Sequence, residues 1–98
     1  MGKEIRWTDD AIASYYEILD YLKIHWTEKE LTAFIDETEE VLHYISLQPL
    51  MFRRSSKGFH EALVLKQNLL IYRVKPHYIE LLLFWDTRQH PRKKFKKR

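Results

Sequence analysis

What most constrains this chain is a change of hydrophobic period at Pro49. Before it, apolar side chains recur at three- and four-residue spacing over two long stretches. After it, they gather in three short runs parted by turn residues. A helical first half followed by a stranded second half makes an α+β fold. A chain of 98 residues is one domain, burying roughly 60 to 70 per cent of its unfolded surface around one modest core.

Ile5 and Trp7 alternate with Glu4 and Arg6, which predicts a brief half-buried strand at a sheet edge. Thr8 followed by Asp9 and Asp10 starts a helix, because the hydroxyl oxygen can accept an orphan backbone N–H and the acids face the positive end of the helix dipole. That helix runs to about Trp26, with Ala11, Tyr15, Ile18 or Leu19, Leu22 and Trp26 on one face and Glu17, Asp20 and Lys23 in water. Thr27-Glu28-Lys29-Glu30 fits a capping box, in which the Thr hydroxyl and the Glu carboxylate satisfy reciprocal backbone N–H groups. The second helix carries Leu31, Phe34, Ile35, Thr38, Val41, Leu42 and Ile45 as its apolar stripe and stops before Pro49. So short a connection makes the two helices an antiparallel hairpin.

In the second half, residues 50–60 read as a polar, basic loop, and residues 61–66, 69–75 and 78–86 as strands joined by turns at Gln67-Asn68 and Pro76-His77. The expected architecture is an N-terminal strand and an antiparallel helical hairpin packed on a twisted antiparallel sheet of about four strands. In the last strand, Ile79, Leu81, Leu83 and Trp85 are expected to meet the helices, and Glu80, Leu82, Phe84 and Asp86 to point away. Residues 1–91 form the domain and 92–98 a basic C-terminal tail.

Charge divides at the same place. Residues 1–48 hold four Lys or Arg against eleven Asp or Glu, net −7, whereas residues 49–98 hold thirteen against three, net +10. Field strength follows local charge, so the basic half is where phosphate or an acidic partner would meet this chain. Arg53, Arg54, Lys57, Arg73, Lys75, Arg88 and the terminal run from Arg92 and Lys93 onward can collect on one side. Guanidinium groups bind phosphate bidentately, and Tyr72, His90 and Phe95 offer stacking surfaces for bases. Residues 93–98 read equally well as a solvated, frayed tail.

Other chemistries lack their parts. There is no cysteine, which removes disulfide and thiolate chemistry and fits a reducing cytoplasm. The longest apolar run, residues 81–85, is too short to span a bilayer, and the N-terminus has no signal-peptide character. The expectation is a cytoplasmic protein with no membrane contact. Neither a Gly-rich phosphate loop nor an HExxH motif occurs. His25, His43, His60, His77 and His90 show no ligand spacing, so no metal and no cofactor are expected. The acids Asp36, Glu37, Glu39 and Glu40 are a solvated helix exterior.

A short strand ending in Trp7, a first helix led by Ala11, a second closing at Pro49, then Leu-Ile-Tyr-Arg-Val at 70–74 and Phe-Trp-Asp-Thr-Arg-Gln-His-Pro at 84–91 together resemble the RelE/ParE superfamily of toxins over almost the whole chain. The resemblance implies the toxin of a type II toxin–antitoxin system, of the plasmid stabilisation kind. Such a toxin inhibits growth and is neutralised by a cognate antitoxin encoded next to it. RelE-like members cut mRNA in the ribosomal A site with basic side chains, whereas ParE-like members inhibit DNA gyrase without cutting RNA.

On that implication Arg88 matches the family arginine after the last strand and is the first candidate for phosphate contact. Tyr72 matches a tyrosine that is mainly structural in the family. Arg88, Arg73 and His90 form the candidate catalytic set, the cations for the charged phosphate and His90 for proton transfer near neutrality. Arg53, Arg54, Lys57, Tyr72, Arg88, Arg92 and Lys93 are the candidates for RNA or other target binding. Leu69 stands where ribonuclease members place an arginine, and Glu61, Ala62 and Leu63 where they carry lysines. The alternative is a nucleic-acid-binding or interaction module that keeps this fold without toxic action.

Overall fold

The computed structural model describes residues 2–55 and 57–89. They run β1 (Glu4–Trp7), α1 (Asp9–His25), α2 (Glu28–Leu47), β2 (Arg53–Arg54), β3 (His60–Leu65), β4 (Asn68–Val74) and β5 (Tyr78–Asp86). His90, Arg92 and Lys93 of the expected site, and the whole of the expected tail, lie outside the described residues.

Thr8 caps α1, its Oγ1 accepting the Ala11 N–H at 3.1 Å. Asp9 and Asp10 stand in the first turn and Lys23 and His25 in the last, so both ends complement the helix dipole. The start of α2 departs from the expected capping box. Thr27 has the extended backbone of a cap but accepts no backbone N–H, and its hydroxyl donates to the Glu30 carboxylate instead. That bond holds the Glu30 carboxyl below its ordinary value.

The strands form one sheet in the order β1-β5-β4-β3-β2. From β2 to β5 it is the expected antiparallel meander. β1, however, lies parallel to β5, with Glu4 opposite Tyr78 and Trp7 opposite Leu81, so the sheet is mixed and has five strands. Every connection from β1 through the helices to β5 reverses the chain, and an even number of reversals leaves the two strands running the same way. The additional strand is β2, inside the stretch that reads as a loop. Two residues carry no period, and a pair of arginines suits an exposed sheet edge. The β3–β4 turn falls on Lys66 and Gln67, one residue early, because Asn68 is already in β4 opposite Asp86.

Both helices cover the same face of the sheet. Ile18 and Leu22 of α1 and Phe34, Val41 and Ile45 of α2 pack there on Ala62, Val64, Leu70, Tyr72, Ile79, Leu81 and Phe84. Membership of Phe84 corrects the expected facing of β5. Tyr72 pairs with Leu81 but Ile71 pairs with Leu83, which leaves Leu82 as the extra residue of a β-bulge. A bulge inverts the alternation beyond it. Phe84 (3 % exposed) and Asp86 (1 % exposed) therefore turn to the helix side, and Leu83 and Trp85 follow Ile71 and Leu69 to the face opposite the helices. Phe84 enters an aromatic cluster with Trp7, Tyr15 and Phe34, ring centroids 5.4, 5.2 and 6.3 Å away.

β1 ends at Trp7, so the backbone of β5 beyond that point has β4 on one side and no strand on the other. Residues leading into and within α1 take over. Thr8 Oγ1 donates to Leu81 O at 2.8 Å. Ser14 Oγ accepts the Phe84 N–H at 2.9 Å and donates to Ala11 O at 3.1 Å. The buried amide of the bulged strand is thereby satisfied by a helix side chain.

Candidate functional site

The face of the sheet opposite the helices, the open face, which no described helix covers, is built from cross-strand rows. One row is Arg53, Glu61, Ile71 and Leu83; the next is Leu63, Leu69 and Trp85; on the other side lie Arg73, Glu80 and Arg6. An apolar strip through the middle is therefore bounded by arginines, each with a glutamate beside it, Glu61 next to Arg53 and Glu80 between Arg73 and Arg6. Arg53 and Arg73 stand two strands apart and two residues out of register, about 12 Å at the usual strand spacing and rise. Arg6 pairs with Glu4 at 3.0 Å and lies 4.1 Å over the Tyr78 ring. The hydrogen bond and charge of Arg6 hold the Glu4 carboxyl below its ordinary value. Among the described residues Arg53, Arg54 and Arg73 make no ion pair.

Lys57 sits exposed in the β2–β3 turn. Its N–H donates to Ser55 Oγ at 3.2 Å, and Gly58 supplies the positive φ of 90° that lets the chain turn back. This places Arg53, Arg54 and Lys57 together at the β2 edge. Of the other expected binding residues, Arg73 shares the open face with Arg53, while Tyr72 and Arg88 do not.

Tyr72 points to the helix side and is fully buried. Its hydroxyl donates to Pro49 O at 2.6 Å, and its ring stacks on His60 with centroids 5.2 Å apart. Burial drives the hydroxyl well above the ordinary tyrosine pKa, so it remains a donor. The residue ties the start of the α2–β2 loop to the middle of the sheet.

Arg88 follows from the bulge. Because Asp86 has been turned inward, the chain leaving β5 brings Arg88 back over it. Arg88 N and Nε both donate to Asp86 Oδ1, at 3.1 and 3.0 Å, and Nη2 donates to Asn68 Oδ1 at 3.2 Å. The guanidinium carbon lies 5.6 Å from the Trp26 ring and 5.9 Å from that of Tyr21, within cation–π range. The Arg88 side chain is 15 % exposed. Asp86 and Asn68 were missed as partners by sequence reasoning, although an acid closing a strand as apolar as residues 78–86 is a signal that something must neutralise it. Asp86 Oδ2 and Asn68 Nδ2 are buried and have no hydrogen-bond partner among the described residues.

Among the described residues no group of three or more His, Asp or Glu side chains is arranged to hold a metal ion. No helix among them is long and apolar enough to cross a membrane. What the open face offers chemically is an apolar strip whose borders carry Arg53 opposite Glu61 and Arg73 opposite Glu80, suited to an extended segment bearing apolar groups and charges that can meet those arginines.

No known protein-family profile matches the chain, and no curated protein does. Solved structures do. A chain of the chromosomal ParDE TA system from P. aeruginosa superposes with a TM-score of 0.70 at 19 % identity, over 86 % of this chain and 95 % of that one. A chain of the E. coli DinJ-YafQ toxin-antitoxin complex gives 0.61 at 12 % identity, over 92 % and 98 %. The YoeB dimer from Staphylococcus aureus gives 0.59 at 15 % identity, over 87 % and 97 %. The two helices on a mixed, open five-stranded sheet are thus the RelE/ParE-like toxin fold, as residues 70–74 and 84–91 led one to expect.

Proposed function

We propose that this chain is the toxin of a type II toxin–antitoxin system, and that it acts by binding its target, DNA gyrase, rather than by cutting mRNA on the ribosome. The observation that carries the choice is the engagement of Arg88. Phosphoryl transfer on RNA needs a cation held at the charged phosphate, and although Arg73 makes no ion pair among the described residues, the arginine at the family position is committed to Asp86 and Asn68. Leu69, where ribonuclease-type members carry an arginine, is packed between Leu63 and Trp85. The likeness to a ParDE chain accords with this reading.

Neutralisation falls to an antitoxin encoded next to the toxin. Its acidic and apolar side chains suit the strip of the open face and its bordering arginines, and the unpaired edge of β2 can accept a strand. The system works in the cytoplasm, where gyrase and its DNA are.

Induced expression in bacteria tests the proposal, with co-expression of the adjacent open reading frame as the rescue arm. Growth should stop and be restored by the neighbour. Purified protein should inhibit supercoiling by gyrase and leave mRNA on ribosomes intact. Cut mRNA with unaffected supercoiling would move the target to translation. Unimpaired growth at full expression would leave the non-toxic binding module as the better reading.

A further inference from the structure

We propose that Asp86 is an internal competitor for Arg88, occupying the place of an external phosphate and so withholding this guanidinium from single-stranded RNA. The inference shares with the proposed choice of target the engagement of Arg88, and adds what maintains it; RNA binding reads this apart from toxicity and from gyrase inhibition.

A phosphate takes an arginine by one edge of its fork, two parallel N–H groups meeting two oxygens. Here the Nε–Nη2 edge of Arg88 is filled, by Asp86 Oδ1 at 3.0 Å and Asn68 Oδ1 at 3.2 Å, and the Nη1–Nη2 end belongs to a side chain only 15 % exposed. The faces of the guanidinium are bordered by Trp26 and Tyr21. The arrangement is fixed from both sides, since Asn68 and Asp86 are directly opposed in the β4–β5 register and the Arg88 backbone N–H bonds the same carboxylate oxygen at 3.1 Å.

Asp86 depends on Arg88 in turn. It is 1 % exposed, and among the described residues Arg88 is its only ion-pair partner, with Oδ2 unbonded. Arg88 lies in the turn after β5, so its side chain can reach solvent by rotation of its own bonds. What holds it is the negative charge of Asp86. Asp86→Asn keeps the shape and the acceptor oxygen but removes that charge. The guanidinium then has no countercharge in its niche, and a phosphate outside becomes the better partner.

Binding of oligo(U) as a function of KCl reads this directly. Asp86→Asn should raise affinity severalfold at low salt and steepen the log–log salt slope by about 0.7, the value for one added phosphate contact on a single strand. Adding Arg88→Gln to Asp86→Asn should return the slope to that of the unaltered chain. The exchanged pair Asp86→Asn with Asn68→Asp, which restores a carboxylate to the niche, should return it too. An unchanged slope in folded Asp86→Asn protein overturns the proposal, as does a steep slope that persists without Arg88.

Should the variants fail to fold, the unaltered chain still decides. Its Arg88 Nε–H resonance should stay in place when oligo(U) is added at low salt. A shift on addition would mean that the phosphate already reaches Arg88, and the proposal would fall.

Discussion

His60 is buried against the ring of Tyr72, 5.2 Å between centroids and 19° from parallel, with Nδ1 lacking a hydrogen-bond partner. Burial, and secondarily the charge of Arg54, lower its pKa. The unfolded chain therefore takes up a proton near pH 6.5 that the folded chain refuses. Stability supplied by the neutral imidazole is complete above that pH and is lost as pH falls toward the folded value. Urea unfolding between pH 7 and pH 5 should show this decline, and His60→Phe, which keeps the stacked ring, should flatten it. A variant with an unaltered decline would remove His60 as its source. His25, His43 and His77 are exposed. At this scale the sequence discloses which residues are ionisable and little of what they meet. Arg88 is recognisable as a cation just past a strand, but its partner Asn68 lies 20 residues away, opposite Asp86 only because of the β4–β5 register.

The two helices are legible because a helical period repeated over 17 and 20 residues is hard to mistake. The bulge in β5 is not, because the run in which the extra residue falls offers no polar–apolar contrast to tell one face from the other. Leu82, Leu83, Phe84 and Trp85 are all apolar, so nothing in their order announces that Phe84, and not Leu83 or Trp85, enters the core. β2 is invisible for a related reason, two residues being less than one period of pairing. The bulge also creates a dependence between elements. β1 stops short of Phe84, and the buried Phe84 N–H rests on the hydroxyl of Ser14 in α1. Ser14→Ala leaves that amide unpaired in a dry interior, a loss of about 1–3 kcal/mol. The midpoint of urea unfolding should fall accordingly at unchanged slope. A loss near zero would mean that the amide finds another acceptor and that the helix does not secure the bulged strand.

Across the whole molecule, the change of period and the change of charge become two layers. Acids line α1 and α2, and Arg53, Arg54, Lys57 and Arg73 belong to the sheet and its turn. The smallest extent of the protein is 22 Å, more than twice the roughly 8 Å screening length at physiological salt. A ligand approaching the open face is thus shielded from the acids behind it, and feels the basic layer rather than the overall +3. Two sets of substitutions separate local from total charge. Neutralising the exposed helix acids Asp36, Glu39 and Glu40 as glutamines raises the overall charge by three, whereas Arg53→Gln with Arg73→Gln lowers it by two. If local field governs encounter, stopped-flow association with an acidic peptide at physiological salt should change less than about twofold in the first set. It should slow by about tenfold in the second, within the range that electrostatic steering spans. At about 0.01 M salt the screening length grows to about 30 Å, the two layers are no longer separated, and the helix substitutions should begin to accelerate association. Equal and opposite effects per unit charge at both salt concentrations would show that the total governs, and that the division at Pro49 has no consequence for how this surface meets a partner.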